Sequence, residues 1–267
     1  MKIKNTDRTE TVYSALGNAA NAAIVLLHGI GADHRMWQPQ MATFASNGFY
    51  VLAPDLLGHG QSSKVPHLEL RDWENQILDL LRAHQRETCI LIGVSMGGAI
   101  AQSFVVNHPD RVRQLIVSDT FAELRTPLEK VLGLSQIIGF WLFKRLGVAA
   151  MAKVMASTYK APFAKAAKDY FSRVALDADF DQLILARRAI NRIDVVGQLR
   201  QLKIPVLVMV GDQFGSFFIE INRKIADAIQ DAEFVILNQA MDPSNLVNPV
   251  SFNREVLTFL RANSTPK

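Results

Sequence analysis

"GVSMGG", residues 93–98, follows the apolar run "CILIGVS" (89–95) and leads into a helical stretch. Its Gly93, Ser95 and Gly97 form the spacing Gly-x-Ser-x-Gly. A serine on such a strand-to-helix turn is forced into strained backbone, and only small neighbours let the turn close. Its hydroxyl then projects over the edge of the sheet. The next amide, that of Met96, faces the same space from a helix N-terminus. The spacing alone is a weak signal, and a glycine turn without chemistry would satisfy it. With a strand before it and a helix after it, the signal is specific.

Working outward, short β-branched runs recur at 22–29, 50–55, 113–119, 204–212 and 232–239. Several lack polar alternation, as strands buried on both faces of a parallel sheet require. Between them lie apolar stripes at helical spacing: Trp73, Ile77 and Leu81; Ile221, Ile225 and Ile229; Phe252, Val256 and Leu260. This alternation predicts an α/β fold, a doubly wound and mostly parallel sheet with helices on both faces. One interval, Phe121 to about Ile193, holds no convincing strand and many large apolar residues. It falls between two strands, so it emerges at the C-terminal edge of the sheet, where ligands of such folds bind. The expected organisation is a core from residues 1–120 and 196–267, with a helical cap at 121–195.

At 267 residues, 49% hydrophobic and 20% charged, the chain suits one large globular domain with an insertion. The single Cys89 excludes an internal disulfide framework and fits a buried packing position. The N-terminal "MKIKNTDRTE" has no apolar segment of the secretory type, and "VLGLSQIIGFWLF" (131–143) is too short to span a bilayer. A buried or interfacial helix fits that stretch, and a cytoplasmic protein without a transmembrane segment is expected. The net charge of +4 is uneven: Thr120–Val195 carries 12 basic against 7 acidic residues, which leaves the remainder near −1. No basic run interleaved with aromatics suggests nucleic acid. The surplus is either a solvated helix surface or a preference for an anionic amphiphile or a membrane surface.

Two further glycine-rich strand exits, "LLHGIGAD" (26–33) and "APDLLGHGQSS" (53–63), stand beside the serine motif. Gly29 permits a sharp turn, after which the Ile30 amide can supply a second oxyanion donor next to Met96. Together with "HPDRVRQLIVSD" (108–119), these motifs resemble the α/β-hydrolase fold family, in particular its esterase, enol-lactone hydrolase and haloperoxidase-like members. The resemblance covers nearly the whole chain. Ser95 argues against the dehalogenase branch, which needs an aspartate nucleophile.

The resemblance implies a serine, then an acid, then a histidine. The acid usually stands third after a glycine at the end of the next-to-last strand. Here Gly211 is followed at that distance by Phe214, with Asp212 two positions early. The histidine usually precedes a proline by about seven residues and a phenylalanine by ten. Pro249 and Phe252 set that register, and it lands on Asp242 within "LNQAMDPSNL" (237–246). Met241 also stands where the family usually has glycine, so the constellation as a whole has changed. Three substitutes are open: Asp119, where some members place their acid; His34, in the loop after the oxyanion turn; and Asp242 itself. His28 and His59 belong to turns and loops, while His67, His84 and His108 read as surface.

The candidate catalytic residues are therefore Ser95, Asp242 and Asp119. The candidate oxyanion and binding residues are Met96, Ile30, Gly29, Phe214 and Trp141. No cofactor or metal is implied, and the expected ligand is a small apolar or amphiphilic molecule. Three functions stay open: an ester or lactone hydrolase with impaired or atypical catalysis; a binding protein on a hydrolase scaffold; and a non-hydrolytic lyase or cyclase using Asp242.

Overall fold

The computed structural model describes residues 1–263. Eight strands form one sheet: β1 (Lys2–Lys4), β2 (Glu10–Leu16), β3 (Ala23–Leu27), β4 (Tyr50–Pro54), β5 (Cys89–Val94), β6 (Val112–Ser118), β7 (Val206–Gly211) and β8 (Glu233–Leu237). Their order is β1-β2-β4-β3-β5-β6-β7-β8. From β4 onward across the sheet all pairs are parallel, while β1–β2 and β2–β4 are antiparallel. The chain thus has the α/β architecture its sequence predicts. The β1–β2 edge is the part that the apolar-run criterion does not detect. Glu10–Leu16 mixes polar with apolar side chains, and both of its ends are exposed.

The helices are α1 (Gln38–Ser46), α2 (Leu70–Ala83), α3 (Met96–Asn107), α4 (Pro127–Leu146), α5 (Val148–Thr158), α6 (Lys165–Val174), α7 (Phe180–Ile190), α8 (Val196–Leu199), α9 (Ser216–Ala228), α10 (Ser244–Val247) and α11 (Pro249–Ala262). Alternate strand residues feed two cores. Val25, Leu27, Leu91 and Val208 pack with α2, α3 and α9 through Trp73, Ile77, Phe104 and Ile225. Ile24, Leu26, Ile92 and Met209 pack on the other face with α1 and α11 through Phe44, Phe252 and Val256. Burial on both faces is why these strands are apolar without alternation. Cys89 is buried in the first core, where burial pushes its thiol up to about 12.

Helices α4 to α7 fill the interval between β6 and β7. An isolated antiparallel bridge between Glu123 and Asp194 draws the two ends of this insertion together. Phe140, Met151, Phe180 and Leu183 make a small core of its own, while Tyr159 and Phe171 join the second core of the sheet. Among the described residues, no helix is long and apolar enough to cross a membrane.

Candidate active site

β5 ends at Val94, α3 begins at Met96, and Ser95 alone makes the turn, with φ 55° and ψ −119°. A non-glycine residue held there is strained, and the surroundings over-determine it. The Ser95 amide donates to Ser118 O (2.9 Å), and Thr120 Oγ1 donates to Ser95 O (2.8 Å). The flanking glycines are needed for contact. A Cβ on Gly97 would lie 2.1 Å from Leu27 O, and one on Gly93 would lie 2.2 Å from Gly97 O. The strand exit after β3 runs alongside: a Cβ on Gly29 would sit 3.4 Å from Ser95 Cβ and 4.0 Å from its Oγ. Ile30 follows and lines the same cavity as Ser95.

Ser95 Oγ donates to Asp242 Oδ2 at 3.0 Å. Asp242 arrives on the loop between β8 and α10, which is fastened from several sides. Asp212 Oδ1 accepts from the Ala240 amide (3.2 Å), and Gln213 N donates to Ala240 O (2.9 Å). Tyr159 donates its hydroxyl to Asp242 O (2.9 Å) while stacking on Phe171. Downstream, Leu246 and Phe252 are buried and anchor the loop to α11. Asp212 therefore serves the backbone of this loop and does not line either cavity beside Ser95.

Asp119 directly follows β6, is buried, and has φ 52°. Its carboxyl accepts four hydrogen bonds, from Ser244 N (2.8 Å), Ser244 Oγ (2.9 Å), Gly211 N (2.9 Å) and Ser118 Oγ (3.0 Å). Burial pushes this carboxyl above the ordinary carboxylate range, and its four donors bring it only part of the way back. Asp242 has fewer compensations. Burial first, and then the charge of Asp119, push it up to about 8, against the smaller opposing effects of Ser95 and Arg187. Two neighbouring carboxyls in low dielectric do not both ionise readily. The charge belongs on Asp119, which has the donors, and the proton belongs on Asp242 at neutral pH.

A cavity of about 380 Å³ opens over these groups. Gly29, Ile30, Ser95, Phe214, Met241 and Asp242 line it from the sheet side, and Phe140, Phe143, Met151, Met155, Tyr159 and Phe171 from the inserted helices. A second space of about 140 Å³ adjoins Ser95, Asp119 and Asp242, bounded by Phe121, Phe214, Phe218 and Arg187. Phe214, which the sequence register sets at the position expected for an acid, stacks on Phe218 with ring centroids 3.8 Å apart. Arg187 is buried, its guanidinium 5.2 Å from the Phe121 ring centroid, and burial lowers it to about 10.

The site brings together Ser95, Asp242, Gly29, Ile30, Phe214 and, two residues from Asp242, the Ser244 that holds Asp119. Met96 is buried at the first turn of α3 directly after Ser95. Trp141, an expected binding residue, lies elsewhere. It is half exposed on the outer side of α4, 3.7 Å beneath Arg145. Successive helix residues are turned by about 100°, and Phe140 and Phe143 already occupy the inward side. His34 is also placed elsewhere. Its Nδ1 is 2.7 Å from Asp55 Oδ1, a bond that raises its pKa, and it lines a separate cavity with His59. Asp33, His34 and Asp55 could offer three metal-ligand atoms within 4.8 Å, but Arg35 already pairs with Asp33 and His34 with Asp55. Of the histidines expected at the surface, His67 is exposed, while His84 and His108 are half-buried near Tyr50 and Glu74. Among the described residues no histidine hydrogen-bonds to Ser95.

The sequence reading did not single out Tyr159, Arg187 or Ser244. Only Ser244 carried a signal, lying two residues after Asp242 on the same loop.

A family model for the alpha/beta hydrolase fold matches residues 22–249. The chain belongs to the α/β-hydrolase fold family. Among curated members, it is 26% identical over 259 residues to 3-oxoadipate enol-lactonase 2 of Acinetobacter baylyi, covering 93% of this chain and 92% of that one. It is 28% identical over 264 residues to 3-oxoadipate enol-lactonase 1 of the same organism, covering 95% and 94%. The fold is similar to that of the enol-lactonase from Burkholderia xenovorans, with TM-score 0.82, 24% identity and coverage of 98% and 100%. It is similar also to an esterase from Thermogutta terrifontis, with TM-score 0.85, 24% identity and 99% of each chain covered.

Proposed function

We propose that this α/β-hydrolase acts on an ester or lactone with an apolar acyl part, using Ser95 as nucleophile and Asp242 in place of the usual histidine. The observation that carries the reading is the 3.0 Å hydrogen bond from Ser95 Oγ, at a strained strand-to-helix turn, to Asp242 Oδ2. The full-length likeness to enol-lactonases supports the substrate class, and the aromatic and methionine lining of the cavity supports an apolar acyl group.

In this mechanism Ser95 Oγ attacks the carbonyl carbon while its proton passes to ionised Asp242. The amides of Met96 and Ile30 hold the resulting oxyanion. When the tetrahedral adduct collapses, the C–O bond to the leaving group breaks and Asp242 returns the proton to the departing oxygen. A water then attacks the acyl-serine, with Asp242 again taking and returning a proton. An ordinary carboxylate is a poor base for serine, but burial lifts Asp242 to about 8, into the range where a base is effective near neutrality. About a tenth of the molecules then hold it ionised at pH 7, so turnover is slow.

One observation favours a second reading. A carboxyl protonated at neutral pH is a donor, able to hold a ligand or to protonate an enol or a leaving oxygen without an acyl-serine. That describes a lyase or cyclase, or a ligand-binding homologue. Hydrolysis of p-nitrophenyl butyrate by the native chain and by Ser95→Ala separates the two. Slow turnover that disappears in Ser95→Ala supports the hydrolase; equal rates in both exclude an acyl-serine.

A further inference from the structure

Helix α4 has two apolar faces, and only one of them is covered. Inward, Gly133 and Phe140 are buried, and Gln136, Gly139 and Phe143 form part of the cavity wall. Outward, Leu128, Val131, Leu134, Ile138, Trp141 and Leu142 are each 49–59% exposed. Their spacing of three and four residues puts them along one side of the helix. Scattered exposed apolar residues are ordinary, but a contiguous stripe of this size marks an interaction surface.

The exposed charges carried by α4 and α5 themselves are of one sign. Across α4 and α5 the charged residues are Lys130, Lys144, Arg145, Lys153 and Glu129, and Glu129 is buried at the start of α4. Every exposed charge on these two helices is therefore positive. Lys144 pairs with Asp181 of α7, and Arg145 covers the Trp141 ring. Lys130 and Lys153 make no ion pair among the described residues. An apolar stripe with an indole at its edge and a basic border complements an anionic lipid surface, where aromatic rings sit at headgroup depth and basic side chains meet phosphate. It complements a second copy of itself poorly. In an antiparallel α4–α4 contact, Lys130 of one copy would face Lys144 and Arg145 of the other, and like charges across an interface are costly.

We propose that the outer face of α4 docks this protein on anionic membrane surfaces. Docking there places the helix that walls the cavity beside the lipid, so an amphiphilic substrate or product has a short path between bilayer and site. The proposal does not depend on how Ser95 acts, and binding is measured without turnover.

The test is co-sedimentation of the full chain with vesicles of phosphatidylcholine containing one third phosphatidylglycerol, against vesicles of phosphatidylcholine alone. Tryptophan emission is read in parallel. Trp37 and Trp73 are fully buried and Trp141 is half exposed, so a blue shift reports Trp141 entering the interface. The expected result is salt-sensitive binding to the anionic vesicles with a blue shift. Leu134→Ser with Ile138→Ser should abolish it. Lys130→Gln with Lys153→Gln should weaken it by about tenfold or more, since each basic residue near an anionic surface contributes about fivefold. Failure to bind, or equal binding to both vesicle types unaffected by these changes, overturns the proposal. So does a dimer by light scattering that Leu134→Ser with Ile138→Ser disperses, because the face would then belong to a second copy.

Discussion

Ser95 Oγ and Asp242 Oδ2 lie 3.0 Å apart across the floor of an apolar cavity, at the position where the sequence register leads to the expectation of a histidine. A carboxyl there differs from an imidazole in both reach and proton affinity. A carboxylate is shorter than an imidazole, so the loop must come closer, and Tyr159 and Asp212 hold it there through the Asp242 carbonyl and the Ala240 amide.

Restoring a histidine alone should not restore a relay. In Asp242→His the new ring needs a carboxylate acceptor, and all four bonding positions on Asp119 are taken by Ser244, Gly211 and Ser118. Phe214 borders the same spaces as Ser95 and Asp242, so Phe214→Asp supplies the missing acid at the cost of the stack on Phe218. The expected outcome for p-nitrophenyl ester turnover is little gain in either single variant and a gain of about a hundredfold or more in the double. Equal gains in Asp242→His alone would mean that Asp119 yields its bonds.

Asp242 should also weaken the fold at alkaline pH. Its folded value near 8 lies above the ordinary 3.8, so the native state holds this proton more tightly than the unfolded chain does. The resulting stability is present in full below about pH 4 and is lost progressively as pH rises to about 8. Asp242→Asn is immune to this loss. Its stability in urea unfolding should therefore gain on that of the native chain from pH 4 to pH 8 and then level off, by on the order of 5 kcal/mol. A difference independent of pH would show that Asp242 is not raised.

The serine turn should tolerate no side chain at its second glycine. Gly97→Ala places a methyl 2.1 Å from Leu27 O, against backbone of β3 that cannot retreat without breaking its ladder. The expected cost is about 3 kcal/mol or more, read by urea or thermal unfolding. A loss below about 1 kcal/mol would mean that α3 shifts freely against β3.

Much of this was legible in the sequence, for identifiable physical reasons. Strands buried on both faces have no polar alternation to hide them, so β3 to β7 stand out; β8 stands out only as an apolar β-branched run, being largely half-buried or exposed, and the mixed sequence of β2 does not. The serine turn was legible because its glycines are fixed by backbone contact, and Asp242 because Pro249 and Phe252 hold the register of the loop before α11. Trp141 was misplaced because apolar content alone does not reveal which side of a helix faces inward, and on α4 both sides are apolar. Arg187 and Tyr159 reach the site from the inserted helices, about a hundred residues or fewer from their partners in sequence, and nothing local marks them. The pairing of His34 with Asp55 likewise exists only after β3 and β4 lie side by side.

If Ser95 takes its reactivity from Asp242, the rate at which a fluorophosphonate labels Ser95 must follow the ionisation of that carboxyl. The rate is read between pH 5 and pH 9.5 in the native chain and in Asp242→Asn, with Ser95→Ala as background. Labelling should be slow at pH 6, rise by about tenfold per pH unit, and reach a plateau above about pH 8. In Asp242→Asn the rise should disappear. Fast labelling at pH 6 that Asp242→Asn leaves unchanged would show that Asp242 is not the base and point to a histidine. Failure to label Ser95 at any pH would contradict its role as a nucleophile.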